Sequence, residues 1–211
     1  KANGFVQQVG NRYKLGMEFI PFSERVRNQT ALYRAGKTEV DKLAHEYDAV
    51  AHLITEYGGK VLILHETFGK DAVGKPVHTR KRNQPRGHIH CTAGGKAILA
   101  HLPEERVDEI IDEQGLPAYT SHTVTDEDEL REELEQIREQ RYAVNNAEVV
   151  HGNRAIGAPV LHEDGEVMGS ISVSGPANNW QDEQFETELA EAVIRSANNA
   201  EINIHTEAAT L

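Results

Sequence analysis

Stretches in which apolar and polar residues alternate predict the strands of this chain. Each of three predicted hairpins has its own glycine turn, at Gly10-Asn11, Gly58-Gly59 and Asp164-Gly165. The first hairpin is expected within residues 4–16. A polar loop with a short strand is expected over 69–87, followed by a strand end at 87–90. The other strands are predicted at residues 48–57, 60–66, 141–145, 153–161 and 166–174.

Apolar residues spaced three and four positions apart predict the helices. Val40, Leu43 and Ala44 indicate a helix over 38–47, and Thr92 is placed to cap a helix that reaches residue 101. The remaining helices are predicted at residues 17–35, 103–113, 126–140 and 181–204. An antiparallel sheet with helices inserted between its hairpins follows from this order, and such an arrangement is an α+β fold.

The bulk composition is that of a globular domain. The 211 residues suffice for one sizeable domain with a small appendage. No stretch approaches the roughly 20 apolar residues that a membrane span needs, and no charged-then-apolar leader opens the chain. The single cysteine, Cys91, cannot form an intramolecular disulfide. We therefore expect a soluble, cytoplasmic protein that has no membrane partner.

Charge is distributed unevenly along the chain. The formal net charge is −12, from 22 Lys and Arg against 34 Asp and Glu. Residues 1–37 hold seven basic and two acidic side chains, a balance of +5, and the remainder holds 15 basic and 32 acidic, a balance of −17. A basic head on an acidic body indicates that only the head contacts an anionic polymer such as DNA. A generally acidic, salt-adapted composition is the alternative.

The strand predicted over 166–174 places hydroxyl groups on one of its faces. Ile171 and Val173 point to one side, and Ser170, Ser172 and Ser174 point to the other. Buried hydroxyls need hydrogen-bond partners, so the serine face must meet water, a polar layer or a ligand. A plainly solvated face is the alternative to a binding site.

Small residues are expected beside these hydroxyls. Ala155 and Gly157 fall on one face of the preceding strand, which predicts a space rather than a packed layer. Ala93, Gly94 and Gly95 form the first turn of a predicted helix, where backbone amides lack intrahelical partners and favour an anion. Together the two segments predict a site that cradles a small carboxylate. Close packing of the glycines is the alternative.

Three parts of the chain resemble transcriptional regulators of the IclR family. His90-Cys-Thr-Ala-Gly-Gly-Lys-Ala-Ile-Leu-Ala100 resembles the His-x-Thr/Ser-x-x-Gly-Lys-Ala helix entry of that family. Ala155-Ile-Gly-Ala-Pro-Val160, Asp164-Gly165 and Gly169-Ser-Ile-Ser-Val-Ser-Gly-Pro176 are similar to its C-terminal signature. Residues 4–16 are similar to the wing hairpin of its DNA-binding domain. The resemblance covers essentially the whole chain, in the right order.

The resemblance implies a GAF-like effector-binding domain that a linker helix joins to a winged helix-turn-helix domain. Residues 1–16 would be the wing remnant of the DNA-binding domain, 17–35 the linker helix and 36–211 the effector-binding domain. It further implies homodimers or homotetramers. These would bind operator DNA through an N-terminal domain that is largely absent from these residues.

The resemblance also implies a pocket for a small effector, typically an organic acid, an aromatic acid or a sugar derivative. Asn145 and Ala155 stand where some members have an acidic residue and a cysteine, which leaves the effector's identity open. The implied effector-binding residues are Ala93, Gly94, Asn145, Ala155, Ser172 and Ser174. An effector would bias the domain between two arrangements, and the linker would transmit the change to the DNA-binding domains.

A zinc site is an alternative to a site that binds only an organic ligand. His88, His90, Cys91 and His151 are residue types that bind zinc, and His88 and His90 would share one strand face. His90 fits the family motif without a metal, so no cofactor is expected.

Catalysis and pure oligomerisation also compete with the sensor interpretation. Ser172 or Ser174 could act as a nucleophile, but no Gly-x-Ser-x-Gly elbow accompanies them. The sequence also assigns neither a base nor an orienting acid, so we expect no enzyme. A third alternative is a domain that only oligomerises and whose pocket is vestigial.

Overall fold

A computed structural model of the chain describes residues 4–72, 89–180 and 185–208. The strands are β1 (Val6–Val9), β2 (Arg12–Leu15), β3 (Val50–Tyr57), β4 (Lys60–Phe68), β5 (Ala143–Asn146), β6 (Asn153–Leu161) and β7 (Val167–Pro176). Strands β3 to β7 form an antiparallel sheet in the order β4-β3-β7-β6-β5, and β1 and β2 form a separate hairpin.

Helices lie between β2 and β3, between β4 and β5, and after β7, which confirms the predicted α+β class. The α-helices of the described residues are α1 (Phe19–Gln29), α2 (Ala31–Glu46), α3 (Ala93–Leu99), α4 (Glu104–Gln114), α5 (Glu127–Gln140) and α6 (Ala190–Ala208). A short 3₁₀ helix, Ile89–Cys91, precedes α3, and a π-helical turn, Phe185–Leu189, leads into α6. Within the described ranges, no helix is both long and apolar enough to cross a membrane.

The five-stranded sheet separates two hydrophobic cores. One face, which includes Leu53, Ile156 and Ile171, packs against α2 and α6. The opposite face, which includes Ile54 and Ala143, packs against α3, α4 and α5. Because side chains alternate along a strand, β3 contributes Leu53 to the first core and Ile54 to the second. The second face is called the α3 face below.

The N-terminal hairpin and α1 lie outside both cores. Every residue of β1 and β2 is exposed, and none of the residues of α1 is buried. Phe5 packs its ring against Phe19 and Phe22, with ring centroids 5.2 and 5.1 Å apart. This small aromatic cluster attaches the hairpin to α1 rather than to the sheet.

The segment predicted as one linker helix contains parts of two helices. Thr30 adopts an extended conformation, with φ −85° and ψ 115°, and its hydroxyl donates to the carbonyl of Val26. Helix α2 then starts at Ala31 and buries Leu32, so the helix expected to begin at residue 38 begins earlier. The spacing of apolar residues along the chain did not predict this start, because the start depends on packing of α2 against the sheet. The boundary placed between residues 35 and 36 falls inside α2.

Three other expectations differ from the structure. Ile89–Cys91 is a 3₁₀ helix rather than a strand end, and residues 73–88, with the predicted short strand, lie outside the described residues. Strand β5 starts two residues later than expected because Arg141 ends α5 in the left-handed conformation, with φ 65°. The last helix continues to Ala208, and residues 181–184 lie outside the described part of the chain.

Candidate functional site

The three serines of β7 alternate with core residues, as predicted. Ile171 and Val173 are buried in the core formed with α2 and α6. Ser170, Ser172 and Ser174 therefore belong to the opposite, α3 face of the sheet. Ser170 and Ser172 are buried, whereas Ser174 is partly exposed.

The start of α3 lies directly over this serine face. The hydroxyl of Ser170 donates a hydrogen bond of 2.9 Å to the carbonyl oxygen of Gly94. A Cβ built on Gly157 of β6 would lie 2.6 Å from the amide nitrogen of Gly94. Glycine at position 157 therefore permits the helix to approach the strand this closely. The helix start and the hydroxyl row share one side of the sheet.

The space expected above Gly157 is filled by the backbone of α3. A Cβ on Gly94 would also be too close, at 2.6 Å from Ile54 Cδ1 and 2.8 Å from Ser170 Oγ. Close packing explains this pair of glycines. The partly exposed positions lie further along the strands, at the cross-strand partners Ala155 and Ser174. This pair is therefore more accessible to solvent than the buried position above Gly157.

The first turn of α3 offers fewer amides than predicted. Thr92 caps the helix, as expected, and its hydroxyl oxygen accepts from the Gly95 amide at 3.1 Å. A Cβ on Gly95 would also clash with the carbonyl oxygen of Ile89. Three amides were predicted to bind a carboxylate, and the capped Gly95 amide leaves only those of Ala93 and Gly94 for this role.

Asn145 lies at the other end of the same row of the sheet. It pairs with Ala155 of β6, which in turn pairs with Ser174 of β7. Its side-chain amide donates to the carbonyl oxygen of Cys91 at 2.6 Å, and its Oδ1 accepts from the Glu148 amide at 3.1 Å. Asn145 therefore joins the segment before α3 to the turn after β5. An amide side chain still has one further donor hydrogen and one further acceptor lone pair for a ligand.

Sequence inspection missed two buried polar residues on the α3 face, His52 and Glu66. His52 of β3 pairs with Ser172 of β7 on one side and with Glu66 of β4 on the other. His52 Nε2 lies 3.0 Å from Glu66 Oε1, and the two side chains are 9% and 0% exposed. A signal was available, because His52 interrupts the apolar residues of a strand, and a buried imidazole needs polar partners.

Ser172, His52 and Glu66 occupy consecutive strands, and we call them the polar row. They supply the histidine and the acid that the sequence alone could not assign. Nucleophilic catalysis requires a serine hydroxyl bonded to the imidazole. In the described part of the chain, His52 Nε2 contacts Glu66, and no hydrogen bond joins Ser172 to the ring. The polar row is therefore not an assembled catalytic triad.

A buried lysine anchors α3 beside the site. Lys96 Nζ lies 2.5 Å from Glu133 Oε1 of α5 and 2.7 Å from Glu148 Oε1, and its side chain is 1% exposed. Burial raises the pKa of Glu148, and the charge and hydrogen bond of Lys96 oppose this shift only in part. Because the Glu148 amide also bonds to Asn145, this network links Asn145 to α3 and α5.

The candidate zinc ligands are not assembled into a site by the described residues. His90 Nε2 lies 3.3 Å from the Pro117 carbonyl oxygen, and Cys91 is fully buried. Exposed His151 lies near His122 instead, with ring centroids 6.1 Å apart. The described residues hold no group of three or more His, Cys, Asp or Glu that could bind a metal ion. His88, the fourth candidate, lies outside them.

Comparisons with known proteins agree with the fold and the motifs. The family model "Bacterial transcriptional regulator IclR C-terminal" matches residues 25–201. A probable HTH-type transcriptional regulator, ArcR of Halobacterium salinarum, is 40% identical over 204 residues, which cover 96% of this chain and 77% of the relative.

Solved structures show the same fold. The Thermotoga maritima IclR structure is similar with a TM-score of 0.79 at 24% identity, covering 96% of this chain and 81% of that chain. An IclR homologue from Microbacterium hydrocarbonoxydans, solved in complex with 4-hydroxybenzoate, has a TM-score of 0.77 at 20% identity and covers 96% and 80%. Since the family model spans most of the sequence and a curated relative matches it almost end to end, the chain belongs to the IclR family of transcriptional regulators.

Proposed function

We propose that this chain senses a small-molecule effector and thereby controls operator binding by a winged helix-turn-helix domain. The observation that carries the proposal is the first turn of α3, which lies on the serine face beside the partly exposed pair Ala155 and Ser174. A face built for stability alone would carry apolar side chains, because buried hydroxyls and amides need partners. The proposed effector-binding residues are Ala93, Gly94, Asn145, Ala155, Ser172 and Ser174.

A small organic acid or a sugar-derived metabolite suits these groups best. The amides of Ala93 and Gly94 donate hydrogen bonds, and the hydroxyls of Ser172 and Ser174 donate or accept them. Backbone amides and hydroxyls bind carboxylate oxygens and sugar hydroxyls alike. The related protein from Microbacterium hydrocarbonoxydans was solved with a hydroxylated aromatic acid, which supports an acid for this chain as well.

The linker would receive the effector's signal through β3. His52 faces the site, and the next residue, Leu53, faces the opposite core. A Cβ on Gly36 of α2 would lie only 2.7 Å from Leu53 Cδ1, so strand and helix are in close contact there. Displacement of β3 would therefore move α2, and through Thr30 it would move α1 and the hairpin. Such control requires different effector affinities in two arrangements of the domain.

We further propose that the protein works as a homodimer or homotetramer on operator DNA. The hairpin, α1 and the turn between them expose large apolar side chains, among them Leu15, Met17 and Val26, which are 74%, 70% and 61% exposed. Several large apolar side chains exposed along one segment favour a protein partner. Sedimentation of the purified chain tests this assembly, because a monomer at micromolar concentration would contradict it.

A thermal-shift screen of small carboxylates and sugars tests effector binding, because a ligand that binds only the folded state raises the melting temperature. Titration of each hit against variants then locates the site. Ser172→Ala and Ser174→Ala should each weaken binding by about tenfold, the value of one hydrogen bond to a charged group. Ser121→Ala, at an exposed turn, is the matched control and should leave the affinity unchanged.

Two results would contradict the proposal. A broad panel without any stabilising ligand would favour a domain that only oligomerises. A ligand whose affinity is equal in all three variants would bind elsewhere, for example in the cleft of about 520 Å³ that His101, Arg131 and Arg138 help to line. Control of DNA binding is tested separately, by operator affinity of the full-length regulator with and without the hit.

A further inference from the structure

Helix α1 ends in a set of hydrogen bonds that come from outside the helix. None of its residues is buried, so burial of apolar side chains does not fix its direction. The last carbonyl groups of a helix lack partners within that helix. Thr30 supplies two such partners, because its hydroxyl donates to Val26 at 3.1 Å and its amide donates to Arg27 at 2.9 Å. The next carbonyl oxygen, that of Asn28, accepts from Arg34 Nη1 at 2.6 Å, so the end of α1 is bonded to a side chain of α2.

Arg34 is held in turn by the C-terminal helix α6. Its Nε and Nη2 donate to the two carboxylate oxygens of Glu207, at 2.6 and 2.9 Å. Such a bidentate contact between a planar guanidinium and a carboxylate fixes orientation as well as distance. One guanidinium therefore bonds the end of α1 and the end of α6 to the first turn of α2. We call Arg34 and Glu207 the linker clamp.

The position of Glu207 is set by the packing of α6 in the domain. Ile204, one turn before Glu207, is buried in the core that α2 and α6 form with the sheet. Glu201 accepts from the amide of Leu161, at the end of β6, at 2.9 Å. The same strand carries Ala155 of the proposed effector site. The linker clamp thus connects α1 to a helix that is bonded to the sheet.

We propose that the linker clamp fixes the direction of α1, so that the C-terminal helix positions the linker to the DNA-binding domain. The inference rests on the function proposed above only in that α1 is taken as this linker. An exposed ion pair contributes little to the stability of the whole domain. It determines the direction of α1 because a helix without buried residues has few other contacts that oppose a change of direction. Arg34 is required as arginine, since a lysine ammonium lacks the planar fork that bonds a carboxylate and a carbonyl together.

Distances between two spin labels in the intact chain test this direction. One label is attached to α1 through Arg25→Cys and the other to α5 through Gln136→Cys, both at exposed positions. Cys91 is buried and can stay in place. Labelled chains are diluted with unlabelled chains, so that the measured distances lie within one chain. Wild type should give a single narrow distance distribution, and Arg34→Lys and Glu207→Gln should each lose it.

Amide hydrogen exchange over Phe19–Gln29 is a second readout that needs no labels. Exchange follows local opening of a helix, so its rate should rise about fivefold in both clamp variants, the factor that corresponds to a contact of this strength. Arg195→Lys and Glu191→Gln are the matched controls. They alter another exposed pair of α6, 3.5 Å apart, and should leave both readouts at the wild-type values.

Two results would overturn the linker clamp. One is a narrow distribution in both clamp variants that equals the wild-type one, and the other is a broad distribution in wild type itself. The two variants change opposite sides of one contact, so either is sufficient if the other does not fold. Neither measurement uses an effector. Failure of the clamp would therefore leave the sensor function standing, and failure of the ligand screen would leave the clamp standing.

Discussion

Gly157 of β6 and Gly94 of α3 pack backbone against backbone, since a Cβ on Gly157 would lie 2.6 Å from the Gly94 amide nitrogen. Neither residue has a positive φ, so what glycine contributes here is the absence of a side chain. The contact sets the distance between α3 and the sheet. It thereby determines how the amides of Ala93 and Gly94 are oriented towards the α3 face of the sheet near Ala155.

Replacing Gly157 by alanine should separate α3 from the sheet. The added methyl group would meet backbone atoms, which cannot rotate away, so the free energy of unfolding should fall by about 1–3 kcal/mol. Urea unfolding followed by circular dichroism measures this. Ala155→Ser, at a partly exposed position on the same face, is the control and should cost less than about 0.5 kcal/mol. Equal losses in both variants would contradict the tight contact.

Removing the buried charge of Lys96 should destabilise the protein strongly. Lys96→Met leaves Glu148 buried without its cation, and breaking such a pair costs about 3–5 kcal/mol. Loss of the cation raises the folded-state pKa of Glu148 further above its unfolded value. Stability is then lost as the pH rises through that pKa, so the variant's deficit should be larger at pH 8 than at pH 5.

Arg195→Met provides the control for this experiment. Arg195 pairs with Glu191 at 3.5 Å on the surface, with side chains 60% and 73% exposed. Surface pairs of this kind contribute about 0–1 kcal/mol. Denaturant midpoints of both variants at the two pH values give the comparison, and a deficit of Lys96→Met that does not depend on pH would disprove the role given to Glu148.

Cys91 should resist thiol reagents until the protein unfolds. Burial and the charge of Glu148 raise the pKa of Cys91 to about 12, and the residue is 0% exposed. Only the thiolate reacts, so at pH 8 the labelling rate should be lower by about a thousandfold than for an ordinary thiol with a pKa near 8.5. Ellman's reagent reports on this residue alone, because the chain has one cysteine. Native labelling as fast as labelling in urea would show that Cys91 is accessible.

Asp41 should make stability depend on pH in the acid range. Burial alone would raise the pKa of Asp41, but hydrogen bonds from His65 and Thr67 and the charges of His65 and Lys37 outweigh it, so the pKa is lowered. A lowered folded-state pKa contributes stability above the unfolded value of about 3.9, and this stability is lost as the pH falls through the folded value. The advantage of wild type over Asp41→Asn should therefore shrink between pH 5 and pH 3.

The matched control for Asp41 is Asp112→Asn, at an exposed position of α4. Its difference from wild type should stay nearly constant over the same range. Midpoints of urea unfolding at four or five pH values suffice. A constant advantage of wild type over Asp41→Asn would mean that the carboxylate of Asp41 makes no net stabilising contact with His65 and Thr67.

Local patterns predicted much of the secondary structure. The bounds of β6, residues 153–161, match the prediction, because alternation and the following Asp164-Gly165 turn are both local signals. Helix α5 begins one residue later than predicted, since Asp126 is its N-cap and accepts from the Glu129 amide. The cap at Thr92 and the alternation of the serines followed from the same kind of evidence.

The parts of the site that depend on distant segments could not be predicted in this way. Pairing of His52 with both Ser172 and Glu66 requires the strand order β4-β3-β7, which spacing along the chain does not specify. The filled space above Gly157 likewise depends on where α3 packs. Strand order and helix packing are set by tertiary contacts. Which residues lie on each side of the site can therefore be determined only from the three-dimensional structure.

The most direct test of the central claim is a crystal structure of the chain grown with a ligand that raises its melting temperature. We expect the ligand to lie beside Ala155, within hydrogen-bond distance of the hydroxyls of Ser172 or Ser174 and of the amides of Ala93 or Gly94. A ligand found instead in the cavity of about 120 Å³ lined by Ile89, Leu99 and Ile110, with the serine face empty, would contradict the account.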